Sequence, residues 1–99
     1  MSQGDRRPPN LVQRVQEIPY DHRDSHFFFR KRLVATRAAC DLFGPFEILA
    51  QYLFLQEQAQ RCNGIDYLQV FEDHANPDEP NLWFIEDGEA VTALLPSDY

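Results

Sequence analysis

The chain has 99 residues and a formal net charge of −7, the size of one domain, which excludes a second independent core. Its composition is 43% hydrophobic and 25% charged, with eight Phe, four Tyr and one Trp, which excludes a disordered or low-complexity chain. No apolar run approaches the roughly 18 residues that a bilayer span needs, and the stretch from Met1 to Pro9 lacks the apolar segment of a secretory signal, so the expected location is the cytoplasm, away from membranes.

Residues 1–9, polar, charged and closed by Pro8-Pro9, read as a disordered lead to a single domain over residues 10–99. Asn10, with Gln13 in capping-box position, predicts a short helix whose apolar residues are Leu11, Val12, Val15 and Ile18 and which Pro19 stops. After a polar connection, the stretch Phe27 to Val34 fits two templates. Asp24 or Ser25 could cap a helix running to Phe43, with Phe29, Leu33, Thr36, Cys40 and Phe43 on one face. Alternatively the Phe triplet is extended and the helix begins at Arg32. The helix is the favoured reading.

Gly44-Pro45 closes one helix and opens the next. That second helix spans Pro45 to Cys62 and stops at Asn63-Gly64. Its apolar residues fall on two faces, one of Phe46, Leu49, Ala50 and Leu53, the other of Ile48, Tyr52, Leu55 and Ala59. So wide an apolar arc predicts the centre of the core. Strands are expected over residues 65–72, 82–86 and 89–95, with a proline-broken loop over 73–81. Asp87-Gly88 predicts a tight hairpin turn with positive φ at both residues. The expected fold class is α+β: two to three helices packed on a three-stranded antiparallel β-meander that ends in this hairpin.

Charge divides the chain. Residues 1–40 hold eight basic residues against four acidic ones, whereas residues 41–99 hold Arg61 alone against twelve acids. The plainest consequence is mutual neutralisation of the two halves in the folded domain. The sharper ones are a basic face for nucleic acid, or an acidic face that imitates it.

Among candidate sites, His22 and His26 bracket Asp24, and an i, i+4 His pair on a helix could hold a divalent metal. Arg23 stands where the metalloprotease pattern needs a general-base Glu, so the alternative reading of a metal-binding protein or metal-dependent enzyme at His22, Asp24 and His26 loses its hydrolytic base. His74 beside Glu72 and Asp73 offers an acid/base pair on paper. Cys40 and Cys62 lack zinc spacing; two reduced thiols are the default, and an interhelical disulfide is the alternative. Phe27 to Arg32 interleaves rings with Arg30, Lys31 and Arg32, a mixture that binds single-stranded nucleic acid, though a pI near 4.7 argues against it.

On the second helix, Phe54 projects among Glu47, Gln51, Gln58 and Arg61, a ring surrounded by polar groups of the kind that anchors interfaces. Asp66, Glu72, Asp73, Asp78, Glu79, Glu86, Asp87, Glu89 and Asp98 make the β half acidic. The leading reading is therefore a non-enzymatic protein-interaction module without a cofactor. It would bind a second copy or a larger protein through Phe54, Gln51 and Gln58 and through the hairpin residues Glu86, Asp87 and Glu89.

Overall fold

The computed structural model describes residues 6–14 and 26–99. Its elements are β1 (Leu11–Gln13), β2 (Leu33–Ala35), α1 (Arg37–Phe43), α2 (Pro45–Cys62), β3 (Leu68–Asp73), β4 (Leu82–Glu86) and β5 (Val91–Leu94), followed by a 3-10 turn at Pro96–Asp98. The strands form one five-stranded sheet in the order β1-β3-β4-β5-β2. Every neighbouring pair is antiparallel except β2 and β5, which run parallel. The result is a small α+β domain.

The expected three-stranded antiparallel meander is thus only the middle of a five-stranded mixed sheet. The difference lies in two three-residue strands. Leu11–Gln13, predicted as helix, pairs with β3, and Arg14 continues the ladder by donating its backbone N–H to the Val70 carbonyl at 2.7 Å. Leu33–Ala35, predicted as the middle of a helix, pairs with β5, flanked by Val91 N–H to Arg32 carbonyl at 2.8 Å and Thr36 N–H to Ala93 carbonyl at 2.9 Å. Segments this short fit either period, and pairing with residues some sixty positions away decides between them.

The segment before β2 is neither helix nor strand. Phe27 makes an isolated antiparallel bridge to Ile65. Phe29 is fully buried in a left-handed conformation at φ 57°, costly for a bulky residue unless its surroundings hold it there. They do. The Glu86 carboxylate accepts the Phe29 N–H at 2.8 Å, and the Gln56 side chain donates to the Phe29 carbonyl at 2.8 Å. Tyr52 donates its hydroxyl to the Lys31 carbonyl. Side chains from α2 and β4 thus satisfy the backbone groups that a helix would have paired.

Helix α1 begins at Thr36, whose hydroxyl accepts the Ala39 N–H at 3.2 Å. It ends at Gly44, whose φ of 85° favours glycine. Pro45 then opens α2, and the two helix axes diverge by 100°. Asn63, left-handed at φ 57°, closes α2 by donating to the Ala59 and Gln60 carbonyls.

Both helices lie on one face of the sheet. There Phe71, Leu82, Phe84, Val91 and Ala93 meet Phe29, Ala39, Phe43, Ile48 and Leu55, and Phe71 and Phe84 contact edge to face at 5.6 Å. The expected turn geometry at Asp87-Gly88 is not formed, because neither residue has positive φ. Instead the Asp87 carboxylate accepts the N–H groups of Glu89 at 2.8 Å and Ala90 at 3.0 Å. That is a side-chain-built turn, available to Asp without left-handed backbone.

Candidate interaction surfaces

Helix α2 is apolar over most of its circumference, but only one of its two apolar faces enters the core. Ile48, Leu55 and Ala59 are buried, with Tyr52 beside them. The other face, assigned to the core from its composition, stands in solvent: Phe46 is 86% exposed, Leu53 51% and Leu49 43%, and Ala50 lies exposed between them. These four occupy i, i+3, i+4 and i+7, so they form one stripe along the helix. Toward the C-terminus the stripe gives way to Glu57 and Arg61, an exposed i, i+4 ion pair at 3.6 Å. On α1, Arg37 and Asp41 form another exposed i, i+4 ion pair at 3.8 Å.

Phe54 sits at the margin of this stripe. It is 38% exposed, with its ring edge to face against the core ring of Phe71 at 6.2 Å. Gln51 is half-buried and donates to Glu47 at 3.1 Å. Gln58 faces inward and exchanges two amide hydrogen bonds with Gln13 at 2.8 Å each, while Gln13 also donates to the buried Gln69. Gln58 therefore ties α2 to β1.

The hairpin residues separate in the same way. Glu86 is buried, accepting from Phe29 and from Lys31 at 2.8 Å. Asp87 builds the turn, and the Glu89 and Ala90 amides hold its carboxyl below the ordinary Asp range. Glu89 alone of the three is a free-standing surface carboxylate in position, being exposed at the turn.

Other acids of the β half also serve the fold. Asp73 is buried, and although burial pushes its carboxyl up, donors from Asn10, Asn76 and Ala75 more than offset this and leave it lowered. Its partners also include Arg6 at 3.5 Å, so Asp73 pins residues 6–10 against the loop after β3. Asp98 accepts from the Thr36 hydroxyl and the Leu95 N–H, which lower it. Glu72 is lowered by Arg14 first and His74 second, forming a surface cluster with Arg14 at 2.9 Å and His74 at 3.3 Å. The acidic surface is therefore more broken than its composition implies.

The metal candidates His22 and Asp24 lie outside the described residues. His26 is exposed and stacks on Phe27 at 5.0 Å. Among the described residues no group of three or more His, Cys, Asp or Glu side chains could hold a metal ion. Cys40 is half-buried, Cys62 is exposed, and both are free thiols. In the basic segment Phe29 is core, and the Arg30 guanidinium lies over the Phe28 ring at 5.5 Å. Phe28 is thus partly covered by its own chain.

The far side of the sheet is a second apolar surface, which sequence reasoning did not anticipate. Register aligns Val70, Trp83 and Leu94 in one row and Leu68, Ile85, Thr92 and Val34 in the next. Part of it is already covered: Tyr99 packs edge to face on Trp83 at 5.8 Å, and Leu94 is buried. The alternation that could have revealed this face is masked because both sides of the central strands are apolar.

No single helix among the described residues is long and apolar enough to cross a membrane. The chain matches no protein-family model, no curated protein and no solved structure.

Proposed function

We propose that this chain is a non-catalytic protein-interaction module whose contact surface is the outward face of α2. The observation that carries the reading is the stripe of Phe46, Leu49, Ala50 and Leu53, exposed on a helix whose opposite face is fully engaged in the core. Recognition helices present their anchors to another protein at i, i+3, i+4 and i+7. The whole stripe is a patch on the order of 400 Å², within the range that marks functional surface on a monomer. A lipid surface is a poorer match, since interfacial helices carry Lys and Arg on their polar face, and α2 holds only Arg61 against Glu47 and Glu57.

The test is the native size of the protein by size-exclusion chromatography, both in extract of the cells that make it and for the purified chain at about 1 mM, where weak self-association is populated. Under at least one of the two conditions the chain is expected in a complex larger than its own 11.6 kDa, and a Phe46→Asp/Leu53→Asp variant that folds normally is expected to leave that complex. Identical elution of variant and unaltered chain under both conditions would overturn the reading.

A further inference from the structure

We infer that the occupant of the α2 stripe is a second copy of this chain, packed α2 against α2 in antiparallel fashion across a two-fold axis. The inference rests on the reading of α2 as the contact surface and adds its partner and geometry. A stripe at i, i+3, i+4 and i+7 reads the same from either end. With the axis between residues 49 and 50, Phe46 of one copy meets Leu53 of the other, and Leu49 meets Ala50. Every apolar residue of the stripe then lands on another, and each large side chain at the centre faces a small one. Ala50 beside the axis lets the two helices approach to the closer end of the usual range of about 8–10 Å.

The ends of the stripe fit the same arrangement. Pro45 of one copy falls opposite Phe54 of the other, so Glu57 reaches about 4–5 Å past the start of its partner's α2 at 1.5 Å per residue. An acid there meets the unpaired N–H groups and positive end of a helix. A parallel arrangement loses all of this: it sets Glu57 on Glu57, Arg61 on Arg61 and the two helix dipoles side by side in one direction. The two stripes together cover about 800 Å², below the size of a permanent interface, so the dimer is weak and reversible.

Sedimentation equilibrium on the purified full chain, combined with oxidation of introduced thiols, tests this. The expected result is a monomer–dimer equilibrium with a Kd on the order of 100 µM, weaker than the µM to pM span of standard-size interfaces. Phe46→Asp and Leu53→Asp each weaken it at least about tenfold, while Val34→Lys on the open sheet face leaves it unchanged. Ala50→Cys in a Cys62→Ser background oxidises to a disulfide dimer. The unaltered chain does not crosslink through Cys62, because antiparallel packing sets the two Cys62 residues about 37 Å apart along the helices.

A dimer that survives Phe46→Asp but not Val34→Lys would overturn the inference in favour of the sheet face. Crosslinking through Cys62 but not through residue 50 would overturn the antiparallel geometry. A monomer at about 1 mM would overturn self-association; if the complex in extract still depends on Phe46 and Leu53, α2 remains the contact surface for another protein, and if it does not, both readings fall.

Discussion

Phe46 and Phe54 stand eight residues apart on α2, and the fold uses only one of them. The Phe54 ring leans on Phe71 in the core, whereas Phe46 has no comparable ring contact among the described residues and is 86% exposed. Their roles therefore separate in a stability measurement. Phe46→Asp is expected to leave the unfolding free energy, read from urea denaturation, within about 0.5 kcal/mol of the unaltered chain, as surface substitutions do. Phe54→Ala is expected to cost about 1–2 kcal/mol, less than the 3–5 of a fully buried Phe. Equal losses at the two positions would mean that the stripe is part of the folded core.

Glu86 holds a buried backbone amide in place. Glu86→Ala removes the acceptor of the Phe29 N–H and the partner of Lys31 together. A loss of about 2–3 kcal/mol is expected from leaving a buried donor unpaired. Glu86→Gln keeps an acceptor for Phe29 and is expected to lose less. Chemical denaturation of both variants checks the order, and an equal loss would place the effect in the Lys31 pair instead.

The β4–β5 turn depends on the Asp87 side chain and not on the flexibility of Gly88. Gly88 lies outside the left-handed region, and a Cβ there meets open space. Gly88→Ala is thus expected to be neutral or stabilising by up to about 1 kcal/mol, through the unfolded chain. Asp87→Ala is expected to destabilise. Thermal melts of the two variants distinguish this turn from one built on positive φ, where their order would reverse.

Acid should weaken the fold through three aspartates. Asp73, Asp87 and Asp98 all have carboxyls lowered in the folded chain. A lowered folded pKa means that the unfolded chain binds the proton first, so the contribution is complete above the unfolded value of about 3.9 and is lost as pH falls through the folded value. The melting temperature is expected to stay level from neutral pH to about 5 and to decline below about 4. Asp73→Asn is expected to flatten that decline, which a pH series of melts will show.

What could be read from the residues was the part decided locally. Gly44-Pro45 and Asn63-Gly64 bound α2 at Pro45–Cys62 as expected, and Leu82–Glu86 is the expected strand. Leu11–Gln13 and Leu33–Ala35 were not legible, because three apolar-rich residues satisfy a helical period as well as an alternating one. The same limit applied to α2 itself. Composition showed that the helix had two apolar faces, but only the sheet's position determines that Ile48 and Leu55 face it while Phe46 and Leu53 do not. Phe54, Gln51 and Gln58 were found by their polar neighbourhood, yet two of the three are tied into hydrogen bonds within the domain. The stripe beside them reads as core from sequence, because its apolar spacing is that of a buried helix face.

Photocrosslinking in the producing cells decides whether α2 is the contact surface, with benzoylphenylalanine in place of Phe46 in one chain and of Glu89 in another. A contact surface on α2 predicts a discrete protein adduct from position 46, lost when Leu53→Asp is added, and none from position 89 on the hairpin. An adduct from position 89 with none from position 46 would contradict it and move the contact surface to the β4–β5 turn.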